Sequence, residues 1–258
     1  MYEWERDTLT RLTFDAANET DPLWSPNGGG LVFRSNREGA RNLYWKRTDG
    51  SGEVQRLTES RNFQTATSWH PTGKFLAFFE LDPETNWDIR ILALEGDDRS
   101  GWKPGQVTTF LNSPFADRWP AFSLDGRWLA YHSEESGQNE IYVRPFPGPG
   151  GPWQISSGGG TIPIWSENGK ELFYLSLTRQ IMVATYSAQG ESFATSKPAL
   201  WSEERIAERQ FAREYDLHPD GERFAVLMAA QEQVEEKRTH VILIENFFEL
   251  LRQELGSQ

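Results

Sequence analysis

Polar side chains that could do chemistry recur just upstream of five similar apolar segments in this 258-residue chain. Three of them are carboxylates, Asp21, Asp117 and Glu214, which could bind a divalent metal ion or act as acid and base if the fold brings them together. Whether they meet depends on the elements that hold them. The full set of upstream polar residues is Asn18, Glu19, Asp21, Asn62, Gln64, Asp117, Arg118, Thr161, Arg213 and Glu214.

Other kinds of site chemistry have little support in the sequence. The absence of cysteine excludes disulfides, thiol catalysis and Cys-ligated zinc. There is no Gly-x-Ser-x-Gly elbow and no protein-kinase signature. The glycine runs at 28–30 and 158–160 precede no predicted helix, so they are interpreted as turns and not as phosphate cradles. Four histidines could bind metal, but two of them stand at a turn position that other copies fill with serine; they are His70, His132, His218 and His240.

Composition favours an all-β protein that does not bind nucleic acid. Aromatic residues make up 13% of the chain, with 22 Gly and 14 Pro, a mixture typical of packed strands joined by turns. The formal net charge of -12 would repel a phosphate backbone. No apolar window approaches the ~18 residues of a membrane span, and the N-terminus lacks the apolar core of an export signal. We therefore expect neither a membrane span nor an export signal in this chain.

The elements that must position the polar set are five copies of one hairpin pattern. Each copy has a strand, a corner such as Ser-Pro-Asn-Gly, and a second strand that reads like Leu-Ala-Tyr. The corner glycines, 43 to 53 residues apart, are Gly28, Gly73, Gly126, Gly169 and Gly221. A bulky residue before each corner is predicted to pack between neighbouring sheets; these residues are Trp24, Trp69, Phe122, Trp165 and Leu217.

A third strand follows each hairpin, and a fourth follows in four of the five copies. Four short antiparallel strands at this period predict a β-propeller blade, and stacking of blades around a ring supplies the core. The predicted blades span 14–58, 59–111, 112–156, 157–202 and 203–246 of a single domain, 1–246. Residues 8–13 are predicted to close the ring beside 241–245, and 247–258 to form a short helix or tail. A six-bladed ring, or a fragment of one, remains the alternative.

The sequence pattern aromatic-Ser-Pro-Asp-Gly followed by a Leu-Ala-Tyr-like strand resembles the WD40-like propeller repeat of TolB and its relatives. The resemblance covers residues 12 to 246. Stretches such as "GRWLAYHSEESGQNEIYVRPFPGPGGPWQIS" and "GGGTIPIWSENGKELFY" resemble more closely the C-terminal propeller of bacterial membrane-anchored Ser/Thr protein kinases. This resemblance implies a sensor domain of a larger protein, located outside the cytoplasmic membrane.

Ring symmetry would bring the starts of the inner strands around one channel mouth, and convergent polar groups in a concavity predict a binding site. We predict a ligand site there formed by Glu19, Asp21, Asn62, Gln64, Asp117, Arg118, Arg213 and Glu214. The predicted function is recognition or scaffolding without catalysis, for a protein, peptide or small ligand, with no cofactor or metal and with a monomer if the ring closes. The alternative is a propeller hydrolase or lyase that uses channel carboxylates or a divalent metal. The Pro-rich connection 144–153 is a second candidate surface, for partner docking or as a stiff link.

Overall fold

The computed structural model describes residues 1–3, 6–208, 213–228 and 241–243, and within these ranges the chain forms strands and no helix. No segment of the described ranges is therefore a helix long and apolar enough to cross a membrane. The strands are β1 (Tyr2–Glu3), β2 (Thr8–Leu9), β3 (Glu19–Trp24), β4 (Gly30–Ser35), β5 (Asn42–Arg47), β6 (Gln55–Arg56), β7 (Gln64–Trp69), β8 (Phe75–Asp82), β9 (Asn86–Asp97), β10 (Gly101–Leu111), β11 (Arg118–Phe122), β12 (Trp128–Ser133), β13 (Glu140–Pro145), β14 (Trp153–Gln154), β15 (Thr161–Trp165), β16 (Glu171–Leu175), β17 (Gln180–Gln189), β18 (Ser192–Thr195), β19 (Ala199–Arg205), β20 (Tyr215–Leu217), β21 (Phe224–Leu227) and β22 (Val241–Leu243).

Consecutive strands form antiparallel sheets, which we call blades one to five. Blades one to three have the orders β3-β4-β5-β6, β7-β8-β9-β10 and β11-β12-β13-β14. Blade four has the order β15-β16-β17-β19. Strand β18 forms a hairpin with the C-terminal end of β17. Blade five has three described strands, β20-β21-β22. The predicted all-β class and propeller arrangement are confirmed, with four complete blades.

Closure of a five-bladed ring by residues 8–13 is not found. Strand β2 pairs with β1, and β22 pairs with β21 within the described residues. The N-terminal segment instead folds on itself: Met1 and Thr10 exchange backbone hydrogen bonds of 2.7 and 2.8 Å, and Asp7 takes a φ of +50° in the turn. A local hairpin needs much less loop-closure entropy than pairing with the distant fifth repeat. The predicted partner residues beyond 243 and the predicted helix at 247–258 lie outside the described residues.

The cores lie between blades. The aromatic residue of an inner strand packs against the blade that precedes it, so that Trp69 joins Val32 and Trp45 of blade one, and Phe122 joins Ala77 of blade two. Trp165 likewise packs in the cluster shared with blade three, and Leu217 lies half-buried against that of blade four. Stacking of twisted sheets thus buries the faces that adjacent blades present to each other.

Trp24 is the exception, and its predicted role in blade packing is wrong. It occupies the same register position as Trp69 and Trp165, but 50% of it is exposed, against 9% and 6% for those two. The physical reason is that, among the described residues, no blade packs against this face of blade one. The face opens instead into a cavity between blades one and five.

All five corner glycines have φ between +67° and +74°, in the left-handed region that the turn requires. Gly126 has a second constraint, because a Cβ at this position would lie 2.2 Å from Nε2 of His70. The His70 ring fills the space beside this corner and lies 3.2 Å from the Gly126 carbonyl oxygen. The corner histidine therefore packs one blade against the next.

A bulge bends the inner strand of blades one, three and four. The residue three positions before the corner aromatic has a positive φ, +55° at Asp21, +58° at Trp119 and +53° at Ile162, and the ladder register shifts at each. A proline follows each of them in the sequence. For a β-branched residue such as Ile162 this conformation is an outlier, so the packing around it must hold it there. The bulge releases backbone groups from the ladder, and at Ile162 both the N–H and the carbonyl bond to side chains of neighbouring blades.

Segments after the third strand of blades two, three and four reach back onto the preceding blade. The β9–β10 hairpin runs well beyond the predicted strands and places Trp102 in the core of blade one. The connection 144–153 places Phe146 against Phe75 and Phe110 of blade two, with ring centroids 5.4 and 6.1 Å apart. The β17–β18 hairpin places Phe193 against Trp128 of blade three, 4.9 Å between centroids.

Candidate functional site

The inner strands enclose a cavity of about 450 Å³ that opens between blades one and five. Blade one contributes 21–24, blade two 65–67 and blade five 213–216 and 225–227, and Trp119 of blade three completes the lining. Because four blades contribute to it, we interpret the cavity as part of the central channel of the propeller. Its size lies in the range of ligand sites, ~300–1,000 Å³.

Three of the predicted site residues meet in this cavity, namely Asp21, Arg213 and Glu214. Each is held by a partner. Asp21 Oδ2 lies 2.6 Å from Arg34 Nη2, and Glu214 Oε1 lies 3.2 Å from Arg179 Nη2. Arg213 donates to the Thr67 carbonyl oxygen at 3.2 Å.

Arg34 ties the Asp21 side of the cavity to blade two. Its Nη1 donates to Thr65 Oγ1 at 2.8 Å, and its guanidinium lies 4.2 Å from the Phe63 ring centroid. On the opposite side, Arg213 also lies 3.4 Å from Asp216 Oδ1 at the rim. Every carboxylate of the lining therefore has a guanidinium partner, and the charges balance once Arg34 and Arg179, which lie outside the lining, are counted.

The other predicted site residues lie outside the cavity, which corrects their assignment. Glu19 pairs with Arg37 and accepts a hydrogen bond from Thr13. Gln64 is buried, where Oε1 accepts from Thr58 at 2.5 Å and Nε2 donates to Glu80 at 3.0 Å. Their position, five residues before the corner aromatic, lies beyond the bulge and faces side chains of the linkers and of neighbouring strands.

Asn62 borders a separate surface groove beside the β8–β9 turn. Its backbone N–H donates to Ser60 Oγ at 3.0 Å. Arg118 pairs with Glu134 at 3.2 Å, and burial lowers the pKa of its guanidinium. These residues stabilise their own loops and do not converge on a ligand.

Asp117 and His132 are two buried polar residues of blade three. Asp117 accepts from Ser113 Oγ at 2.6 Å, and burial raises the pKa of its carboxyl above the usual value. His132 Nδ1 accepts from the Ile162 N–H at 3.3 Å, which places the ring proton on Nε2. Burial first, and Arg118 second, hold the pKa of His132 well below its usual value. The imidazole is therefore neutral at pH 7.

The sequence prediction missed Thr65, Thr67, Trp119 and Tyr215, which line the cavity. The repeat alignment itself carries the signal for three of them. Trp119 stands at the bulge position that Asp21 occupies in blade one, and Thr67 and Tyr215 stand one residue later. Tyr215 donates from its hydroxyl to the Ile162 carbonyl oxygen at 2.5 Å, which fixes blade five to the bulge of blade four.

Among the residues that the structure describes, no group of three or more His, Cys, Asp or Glu side chains is placed to hold a metal ion. The Asp21, Asp117 and Glu214 set does not converge, because Asp117 lies outside the cavity. Two of the histidines occupy corners, where His70 Nδ1 lies 2.7 Å from Thr72 Oγ1 and His218 Nδ1 lies 3.0 Å from Asp220. The described carboxylates of the lining serve as ion-pair partners.

Three curated proteins match parts of this chain. It is 27% identical over 178 residues to an uncharacterized peptidase, YuxL, of Bacillus subtilis, covering 55% of this chain and 27% of that protein. It is 27% identical over 143 residues to the uncharacterized protein Atu1656 of Agrobacterium fabrum, covering 54% and 44%. The uncharacterized protein YidR of Escherichia coli is 31% identical over 115 residues, covering 44% and 25%. The chain thus spans less than half the length of each of these relatives.

Solved structures share the fold. A putative TolB from Agrobacterium tumefaciens matches with a TM-score of 0.54 at 20% identity, covering 71% of this chain and 66% of that one. TolB from Acinetobacter baumannii matches at 0.50 and 18%, covering 82% and 47%. A puromycin-hydrolyzing peptidase from Mycobacterium tuberculosis matches at 0.53 and 17%, covering 69% and 29%. At these identities the likeness extends to the fold alone, and no protein-family profile matches the chain.

These comparisons correct the prediction that the protein is not an enzyme. A curated relative is named an uncharacterized peptidase, and two solved structures of similar fold are named a puromycin-hydrolyzing peptidase and a puromycin hydrolase. The names point to the hydrolase class, which was the alternative prediction. The TolB-like character of the propeller is supported by the two TolB structures.

Proposed function

We propose that this chain is the propeller of a peptidase-class hydrolase and that its channel cavity binds a peptide segment of the substrate. The similarity to YuxL supports the class, and the chain corresponds to 27% of that protein's length. The binding role is assigned to the described residues. The bond-breaking groups are assigned to another part of the same protein, because the described carboxylates of the cavity are held in ion pairs.

The observation that carries this proposal is the chemistry of the cavity wall. Trp24, Trp119 and Tyr215 supply aromatic surface, and Pro22 and Leu23 add aliphatic surface. The ion pairs leave no net charge to attract or repel a charged group. An uncharged apolar side chain of a peptide suits such a wall, since burial of apolar area stabilises by ~25 cal/mol per Å².

A cavity-filling substitution tests the proposal in the full-length polypeptide that contains this chain. Ala225 lines the cavity and is half-buried, so Ala225→Trp fills the site without removing a hydrogen bond. Leu124→Trp is the matched control, because Leu124 lies in an outer corner with 45% exposure. The substrates are 7-amido-4-methylcoumarin derivatives of short peptides with Leu, Phe, Lys or Glu in turn beside the scissile bond.

We expect hydrolysis to be fastest with Leu or Phe, and Ala225→Trp to raise KM at least about tenfold, which corresponds to ~1.4 kcal/mol. Leu124→Trp should leave KM unchanged. Hydrolysis of none of the four substrates would overturn the peptidase class. Hydrolysis that is equally fast in the Ala225→Trp variant would overturn the binding role of the cavity.

The kinase attachment and the extracytoplasmic location that the resemblance implied stay predictions, as do a monomeric state and a single domain over 1–246. The matches reported above name peptidases and TolB. The full-length gene would test the attachment and the location directly, through the domains and the membrane segment that it encodes.

A further inference from the structure

The junction between blades two and three shows how the free edge of an inner strand is satisfied. The Pro120 carbonyl oxygen accepts from Thr67 Oγ1 at 2.6 Å, and the Phe122 N–H donates to Ser68 Oγ at 2.9 Å. Both backbone groups belong to β11 and face away from β12. Two adjacent hydroxyls of blade two thus bind one acceptor and one donor that lie two residues apart on blade three.

The equivalent groups on blade one are the Pro22 carbonyl and the Trp24 N–H. In each blade the residue after the aromatic closes the corner, with Ser25 N–H donating to Gly30 and Ser123 N–H to Trp128, both at 2.9 Å. Trp24 pairs with Leu31 as Phe122 pairs with Leu129. In an antiparallel ladder the hydrogen-bonding direction alternates, so the Trp24 N–H faces away from β4.

No hydroxyl of the described residues reaches these two groups. Residues 20–24 have no backbone hydrogen bond outside the β3–β4 ladder within the part of the chain that the structure describes. Pro22 and Trp24 are both exposed and border the cavity. A backbone donor and acceptor held two residues apart on an open strand edge are a template for an extended chain.

We propose that an extended peptide binds to β3 by strand addition at this point. One peptide residue donates its N–H to the Pro22 carbonyl and accepts from the Trp24 N–H through its carbonyl. The adjoining peptide side chain packs on the exposed indole of Trp24. The proposal rests on the proposed function, since the peptide is the substrate segment in the cavity, and it adds the binding mode.

We assign a peptide to this edge because the Pro22 carbonyl needs a donor and the Trp24 N–H needs an acceptor, and the two must be spaced as they are along an extended backbone. Inside the fold only the paired hydroxyls of Thr67 and Ser68 meet this need among the described residues, and they do so at the corresponding site of blade three. One residue of an extended peptide, a unit whose N–H and carbonyl point to the same side, meets it without any side chain. An apolar residue next to that unit would cover Trp24, which is 50% exposed.

Hydrogen exchange of single amides, measured by NMR on the 258-residue chain, tests the free state. The Trp24 amide should exchange at least about tenfold faster than the Phe122 amide, which donates to Ser68. In the Ser68→Ala variant the Phe122 amide should speed up toward the Trp24 rate, because that substitution gives blade three the same open donor. Protection of Trp24 equal to that of Phe122 in the free chain would overturn the proposal.

Binding is tested with the blocked peptide Ac-Ala-Ala-Leu-Ala-Ala-Ala-NH2 and with versions N-methylated at one amide at a time. We expect the parent peptide to slow exchange of the Trp24 amide, and one N-methylation to weaken binding by about 3- to 10-fold, the range of one backbone hydrogen bond. Trp24→Ala should weaken binding of every peptide.

The outcomes separate this mode from the proposed function. Equal binding of all N-methylated peptides, together with an unchanged Trp24 exchange rate, would overturn strand addition even where Ala225→Trp raises KM. Failure of the parent peptide to bind the chain at millimolar concentration would overturn both proposals. Protection of Trp24 that grows with protein concentration alone would assign the edge to a second copy of the chain and would also overturn peptide addition.

Discussion

The indole Nε1 of Trp165 donates a 2.9 Å hydrogen bond to the carbonyl oxygen of Ala121, so that a side chain of blade four is fixed to the backbone of blade three. Trp24 has the same register position but no such partner among the described residues, because its indole faces the cavity. The two tryptophans therefore report on covered and uncovered faces of the same repeat.

Substitution of these two tryptophans should have very different effects on stability. Trp165→Ala removes a buried ring and should lower the free energy of unfolding by about 3–5 kcal/mol. Trp165→Phe keeps most of the packing and should cost about 1 kcal/mol for the lost hydrogen bond plus the smaller ring. Trp24→Ala should cost less than about 1 kcal/mol, as expected at an exposed position. Urea unfolding followed by circular dichroism measures all three, and equal losses for Trp24→Ala and Trp165→Ala would contradict the open face.

Two corner glycines separate backbone strain from contact. Gly28→Ala forces alanine to a φ of +69° with no atom within 4 Å of the new Cβ, so it should cost about 1 kcal/mol. Gly126→Ala has the same φ, but its Cβ would lie 2.2 Å from His70 Nε2. It should cost about 1–3 kcal/mol more, because the histidine must move. In thermal unfolding, a Tm of Gly126→Ala no lower than that of Gly28→Ala would show that His70 does not occupy this space.

Stability should fall as the pH falls below about 6.5, and His132 is one cause. Above its unfolded pKa, near 6.5, the imidazole is neutral in both states and has no effect. Below that pH the unfolded chain binds a proton that the buried ring does not, so the unfolded state gains up to ~1.4 kcal/mol per pH unit until the lowered folded pKa is reached.

His132→Gln keeps an acceptor near the Ile162 N–H and removes the titration, so it is the informative variant. Between pH 6.5 and 5 its free energy of unfolding should decline less than that of the wild type. The two slopes should differ by up to ~1.4 kcal/mol per pH unit, which corresponds to one proton. Comparison of the two proteins cancels the contribution of Asp117, whose raised pKa acts in the opposite direction at lower pH. Parallel curves would contradict a neutral, buried His132.

The two long hairpins should stabilise the junctions that they cross, independently of each other. Trp102→Ala removes the ring that contacts Trp69 at 5.0 Å and donates to Asp98 at 3.0 Å, and Phe193→Ala removes the ring beside Trp128. Each should cost about 3–5 kcal/mol. The losses should add in the double variant, because the two rings share no partner. Lys103→Ala, at an exposed side chain of the same hairpin as Trp102, is the control and should have no measurable effect.

The repeat made much of this fold predictable. Corner glycines, alternating strands and a recurrent aromatic are local features, so they fixed the inner hairpins of all five repeats. The length of β9 and β10 was not predictable, because Gly96, Gly101 and Pro104 suggest a linker, whereas the ladder between the two strands and contacts with blade one hold the hairpin in place. The exposure of Trp24 depends on whether another blade packs on it, and the sequence pattern of its own repeat carries no information on that.

The candidate site was predictable in part, and the difference lies in one or two residues of register. Asp21 and Glu214, three positions before the corner aromatic, face the cavity, whereas Glu19 and Gln64, five positions before it, bind linker and neighbouring side chains. The intervening bulge inverts the simple alternation of a strand. Its sequence mark is the proline that follows Asp21, Trp119 and Ile162.

The backward reach of the β9–β10 hairpin, the 144–153 connection and the β17–β18 hairpin has a consequence for biosynthesis. Each of these segments covers a surface of the blade that precedes it in the sequence. A chain that leaves the ribosome from its N-terminus, at ~5–20 residues per second, therefore exposes each receiving surface before the segment that covers it exists. Assembly can proceed one blade at a time in the order of translation, and the exposed surface of each new blade is covered when the next blade has been synthesised.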